Sequence, residues 1–167
     1  VSPYYNRRND VWADNYKFPV AVIDEVVKAK KAHANDDFII GYRLSPEEAE
    51  SPGISMEITE ELIHQIANKP LDYIHVSLMD VNSVTREGKY KGENRLELIH
   101  QWINGRMPLI GIGSVFTAED ALNAVENIGV EFVALGREIL LDYDFVAKIK
   151  EGREDEIINA FEIGRAH

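Results

Sequence analysis

Four short apolar runs alternate with segments of helical spacing along this 167-residue chain, and that alternation constrains its fold most. The runs are residues 38–44, 71–77, 108–113 and 130–136. They are rich in β-branched and aromatic residues and are mostly continuous, the pattern of strands buried on both faces of a parallel sheet. Between them the period changes. Phe18, Ala21, Val22, Val26 and Ala29 fall at i, i+3, i+4, i+8 and i+11, which predicts a buried helical stripe. Ile58, Leu62, Ile63 and Ile66 predict a second helix, and Leu98, Ile99, Trp102 and Ile103 a third. Thr117 is a good N-cap for a fourth, with Ala118, Ala121, Leu122 and Val125 as its buried stripe. Phe145, Val146 and Ile149 mark a helix after the last strand, and Ile157, Ile158 and Phe161 a short terminal one beyond Gly152.

Strand–helix alternation of this kind implies right-handed crossovers and a parallel sheet. The fold class is α/β, and residues 1–167 read as one domain. Two architectures satisfy the pattern: a small doubly wound sheet, or parallel (β/α) units forming half of a (β/α)8 barrel. A whole barrel needs roughly 250 residues, so this chain spans only part of one. The first residue is Val1 rather than Met, which suggests a piece of a longer protein.

Charge and composition narrow the function. Asp and Glu number 29 against 18 Lys and Arg, a formal net charge of −11. Such a chain disfavours nucleic acid and anionic membrane surfaces, both of which call for a basic face. No apolar run reaches the roughly 18 residues of a membrane span, and the N-terminus lacks the features of a signal peptide. Cysteine is absent, which excludes disulfides and thiolate chemistry and fits a cytoplasmic address.

Two segments carry the strongest chemical signal. Gly111-Ile112-Gly113-Ser114 and Ala134-Leu135-Gly136-Arg137 each end a strand and open a helix. Ligands of parallel α/β proteins gather at that end of the sheet. Glycine there lets backbone approach an anion, and the next helix can offer free N–H groups. Two consecutive turns with Arg137 read as a phosphate clamp, although each glycine alone could serve only packing. Arg43, inside an apolar strand, needs a ligand or an acidic partner such as Asp72 or Glu131. His75 reads as a satisfied core residue, and Ser77 and Asp80 as loop hydrogen bonders that could face a site. The five histidines show no metal spacing, and residues 86–92 read as a mobile basic loop.

Taken in order, these motifs resemble a known family. Ser2-Pro3-Tyr4-Tyr5-Asn6-Arg7-Arg8-Asn9-Asp10 resembles the segment after the fourth strand in Old Yellow Enzyme-like NADH:flavin oxidoreductases. Gly41-Tyr42-Arg43-Leu44-Ser45-Pro46-Glu47-Glu48 resembles their fifth strand. Residues 108–121 resemble strand seven with its phosphate turn, and Ala134-Leu135-Gly136-Arg137-Glu138-Ile139-Leu140 resembles strand eight. The similarity spans about residues 2–150. One departure is local: Val11-Trp12-Ala13 stands where the family usually has Tyr-Gly-Gly-Ser.

The resemblance implies the C-terminal half, strands five to eight, of an FMN-binding (β/α)8 barrel. It assigns Arg43 to the flavin pyrimidine edge, and Gly113, Ser114, Gly136 and Arg137 to the phosphate. Family positions on strands one to four, which hold substrate and supply a proton donor, have no counterpart in the sequence, so no catalytic residue is expected in it. The implied parent is an oxidoreductase in which FMN passes hydride from NADH or NADPH to an electron-poor small molecule. A half-barrel would leave two sheet edges open, so a homo-oligomer or association with the N-terminal half is expected. The alternatives are a phosphate-binding barrel acting on a sugar phosphate and a non-catalytic half-barrel module.

Overall fold

The computed structural model describes residues 1–160. Its elements run α1 (Lys17–His33), β1 (Gly41–Leu44), α2 (Met56–Ile66), β2 (Tyr73–Ser77), α3 (Arg95–Ile103), β3 (Leu109–Ile112), α4 (Ala118–Asn123), β4 (Phe132–Ala134), α5 (Arg137–Leu141) and α6 (Phe145–Lys150). The four strands form one parallel sheet in the order β1-β2-β3-β4. This is the sequential arrangement expected of consecutive barrel units and not of a doubly wound sheet.

Local chemistry sets the helix ends. Asn94 Oδ1 accepts from Leu96 N at 2.8 Å and Glu97 N at 3.2 Å, capping α3. Thr117 and Asp120 form a reciprocal capping box at α4, with Asp120 N on Thr117 Oγ1 at 3.0 Å and Thr117 N on Asp120 Oδ2 at 2.9 Å. The cap read from the sequence is therefore the cap formed. Beyond α4 the chain widens into a π turn over Ala124–Ile128 and stops at Gly129.

The core lies on one side of the sheet. Ile74, Val76 and Leu109 are completely buried against Ile63 and Ile66 of α2 and Leu96, Ile99 and Ile103 of α3. Along β2 and β3 burial alternates residue by residue. The strands are thus covered on one face, where continuous apolar runs had suggested two. Ile110 and Ile112 supply the continuity, but they belong to the less buried face. Gly111 points to the helices: a Cβ there would lie 3.0 Å from Leu96 Cδ1 and 3.1 Å from Val130 Cγ1. It is a packing glycine, not part of an anion turn.

Other expectations also change. Phe18, Val22 and Val26 of α1 are exposed, Phe18 to 58%, while Pro19 and Ile23 turn inward. The exposed stripe and Trp12 line a shallow concavity of about 440 Å³. Leu122 and Val125 are likewise exposed, and Ala124 and Ile128 do the packing. The residue 86–92 loop is tied down rather than free. Glu57 Oε1 accepts from Lys89 N at 2.6 Å, and Tyr90 is buried. Residues 154–156 form one 3-10 turn, and Ile157 and Ile158 lie in extended chain rather than a terminal helix. Ile158 N instead donates to Asp142 Oδ2 at 3.0 Å, a carboxylate that also takes Lys148 Nζ at 2.5 Å. The Lys148 hydrogen bond, then that of Ile158 N, holds the Asp142 carboxyl below the ordinary aspartate range. Phe161 lies outside the described residues. Among those described, no helix is long and apolar enough to cross a membrane.

A buried ion pair fixes the β1–α2 loop. Glu47 Oε2 accepts from Arg95 Nε at 2.9 Å and also meets Arg95 Nη2; the two side chains are 4% and 8% exposed. Removing one member leaves a buried charge uncompensated. Glu47→Gln is expected to cost about 3–5 kcal/mol in urea unfolding, and the double variant Glu47→Leu/Arg95→Met to recover much of that loss. Equal losses in both variants would show that the pair's charge is not what matters.

Candidate functional site

The parallel register sets the site. Arg43 of β1 stands opposite His75 of β2, which stands opposite Ile110 of β3 and, through it, Phe132 of β4. Ser77 lies two residues along β2 and so shares a face with His75. This is the face that the helices leave open. Arg43 and Phe132 are exposed, and His75, Ser77 and Ile110 are half-buried. At its lower end the Tyr73 ring lies over Gly41; a Cβ on Gly41 would come within 2.0 Å of Tyr73 Cζ.

Arg43 is held by β2. Its Nη2 donates to Ser77 Oγ at 2.8 Å, and its Nη1 lies 3.0 Å from His75 Nε2 and 3.2 Å from Nδ1. A nitrogen this close to both ring nitrogens lies over the imidazole face and not along either lone pair, so the guanidinium rests against the His75 ring. Burial first, then the Arg43 charge, push the His75 pKa below its ordinary value, which favours the neutral imidazole. Neither candidate acid pairs with Arg43. Asp72 Oδ2 accepts from Ile40 N at 2.7 Å, Glu131 Oε2 accepts from Leu109 N at 2.7 Å, and Glu131 Oε1 lies 3.3 Å from His100. His75 and Ser77, read from the sequence as a core residue and a loop hydrogen bonder, are therefore the partners of Arg43. Strand parity was the signal that could have found them.

The second part of the site lies where β3 and β4 end. Gly113 has φ +140° and Ser114 φ +49°. A Cβ on Gly113 would fall 2.6 Å from Asp80 N and 2.7 Å from Met79 C, so this turn lies flat on the chain leaving β2. Ser114 Oγ donates to Met79 O at 2.8 Å and accepts from Arg137 Nη2 at 3.4 Å. Arg137 also lies 5.4 Å above the Phe116 ring, a cation–π contact. The structure thus brings Ser114 and Arg137 together, with Phe116 as an addition from outside the sequence reading. Gly136 approaches the same region; a Cβ there would meet Ile112 Cδ1 at 3.6 Å and no other atom within 4 Å.

The helix N–H groups are differently placed from the simple anion clamp. Phe116 N and Thr117 N donate to Asp120 Oδ2, each at 2.9 Å, and Gly136 N donates to the buried Glu138 at 2.8 Å. The exposed side-chain donors are the two guanidiniums; the Ser114 hydroxyl already donates to Met79 O. Among the described residues neither Arg43 nor Arg137 forms an ion pair. Such a donor set suits an elongated anion. The outer strands are three spacings apart, about 14 Å.

Comparison with known proteins follows the same lines. The sequence model of the NADH:flavin oxidoreductase / NADH oxidase family matches residues 1–156. The chain is 46% identical over 160 residues to a probable NADH-dependent flavin oxidoreductase, YqiG, of Bacillus subtilis (strain 168), covering 93% of this chain and 43% of that protein. It is 36% identical over 148 residues to an NADH:acrylate oxidoreductase of Vibrio harveyi, covering 84% of this chain and 15% of that one. The chain therefore spans less than half the length of these relatives. Among solved structures, histamine dehydrogenase from Rhizobium sp. 4-9 superimposes with a TM-score of 0.68 at 22% identity, covering 93% of this chain and 23% of the other. Morphinone reductase in complex with tetrahydroNAD gives 0.64 at 19% identity, covering 89% and 38%. These two likenesses establish the fold, that of a partial (β/α)8 barrel.

The Gly113 turn is the most demanding backbone in the site. Gly113→Ala puts a Cβ into the Met79–Asp80 backbone at a φ that L-residues rarely adopt, and about 1–3 kcal/mol of stability should be lost. Chemical unfolding measures this; an unchanged midpoint would show that the turn relaxes freely.

Proposed function

This chain belongs to the NADH:flavin oxidoreductase / NADH oxidase family, and we propose that it supplies the FMN-phosphate half of the enzyme's barrel, its four strands being the fifth to eighth. FMN, when bound, carries hydride from NADH or NADPH to an electron-poor small-molecule acceptor. The chain's own residues do the holding. Arg43 faces the flavin pyrimidine edge, where a fixed cation favours negative charge in the ring. Arg137 and Ser114, with the turns at Gly113 and Gly136, receive the phosphate.

The observation that carries this reading is the pair of arginines without carboxylate partners among the described residues, one at each side of the open face and both held by neutral groups. Both arginines are exposed and keep N–H groups to spare while neutral groups hold them in place, which suits them to an anionic ligand. A phosphate clamp alone would suit a sugar phosphate equally; Arg43 and the family favour flavin. The rest of the barrel covers the exposed side chains of Phe18, Val22 and Val26 at one edge and of Phe132 at the other. The acceptor is a small soluble molecule, and the protein works in the cytoplasm.

Two ligands separate the two arginines in the full-length protein. Riboflavin carries the ring of FMN without its phosphate. Arg137→Met should weaken FMN binding about tenfold or more, the worth of one charge-assisted hydrogen bond, and leave riboflavin binding unchanged. Equal loss of both ligands, followed by fluorescence titration, would place the phosphate away from Arg137.

A further inference from the structure

Arg43 sits on a face where nothing apolar encloses it, yet its guanidinium is fixed at two points. Ser77 Oγ takes one N–H at 2.8 Å, and Nη1 rests against the His75 ring, 3.0 Å from Nε2 and 3.2 Å from Nδ1. Both partners belong to β2 and are two residues apart on one face, so a single rigid element sets the plane of the fork. Among the described residues only one of the five guanidinium N–H groups is committed to a hydrogen bond, that to Ser77.

We infer that His75 and Ser77 are positioning residues that orient the Arg43 guanidinium toward the anionic edge of a bound flavin. The inference rests on the reading that Arg43 faces the flavin, and it concerns how that contact is built. An arginine on an open sheet face would otherwise sample many rotamers, and each would have to be given up on binding. Anchoring it beforehand to a hydroxyl acceptor and an imidazole ring removes that cost without neutralising its charge. A carboxylate in place of Ser77 or His75 would hold the arginine equally well but cancel the field it offers.

Neutrality of the anchor is what distinguishes this arrangement from the buried Glu47–Arg95 pair, which fixes a loop and presents no net charge. His75 also suits its role through its shape. Its flat ring lies against the guanidinium, with both ring nitrogens within 3.2 Å of Nη1. Ser77 is the smaller support and can be altered with little risk to the fold, because its hydroxyl sits on a half-buried face.

The test uses the FMN-loaded full-length protein and reads the two-electron midpoint potential and the FMN dissociation constant, not turnover. Arg43→Met, Ser77→Ala, Ser77→Thr and His75→Leu are compared at matched thermal stability. Ser77→Ala and His75→Leu should each weaken binding of reduced flavin about tenfold more than oxidised flavin, lowering the potential by about 30 mV. Ser77→Thr, which keeps the hydroxyl, should hold the parent potential, and Arg43→Met should fall at least as far as either anchor variant. If Arg43→Met lowers the potential while Ser77→Ala and His75→Leu do not, Arg43 meets the flavin without its anchors and the inference is overturned. If Arg43→Met leaves the potential unchanged, Arg43 does not face the flavin, and the functional reading fails together with the inference.

Discussion

Burial on one side only is the constraint from which the rest of this structure follows. Ile74, Val76 and Leu109 vanish completely between the sheet and helices α2 and α3. Each fully buried side chain of this kind contributes about 1.5–3 kcal/mol relative to exposure, so the strands cannot slip by one residue without turning their apolar set to solvent. That lock sends every residue of the opposite parity to the open face. Arg43, His75 and Ser77 share that face because of it. An arginine of the buried parity would instead have needed a carboxylate, as Arg95 does with Glu47.

The same constraint explains why cations could be kept unpaired. Desolvating a guanidinium in a closed core costs several kcal/mol. On the open face Arg43 stays exposed to solvent, and Arg137 lies over Phe116 at the sheet's edge. Neutral partners then fix direction without spending charge. The turn at Gly113 and Ser114 adds a strongly constrained piece of backbone. It lies against Met79 and Asp80, so the chain leaving β2 supports the turn after β3.

Much of this was legible before any coordinates. The parallel sheet followed from the alternation of periods, its sequential strand order from the family resemblance, and the Thr117 cap from a residue type suited to that position. Arg43 stood out because a charge within an apolar run demands an explanation. The misreadings have common causes. Continuous runs such as Leu109-Ile110-Gly111-Ile112 looked buried on both faces because isoleucine occupies the open face as readily as the core. The Phe18, Val22 and Val26 stripe had the right period but marks a face exposed in this chain. Periodicity reports that a face is apolar, not which neighbour covers it. Gly111 and Gly113 looked equivalent in sequence, and only φ and the surrounding atoms separate a packing glycine from a turn glycine. The anchors of Arg43 come from a neighbouring strand about thirty residues later, a relation that register creates and local sequence does not contain.

A crystal structure of the full-length protein with FMN bound tests the central claim most directly. The account predicts the phosphate against Arg137 and Ser114 and the flavin pyrimidine edge within hydrogen-bond distance of Arg43, with Ser77 and His75 still holding the guanidinium. FMN bound elsewhere, with both arginines left in solvent, would contradict it.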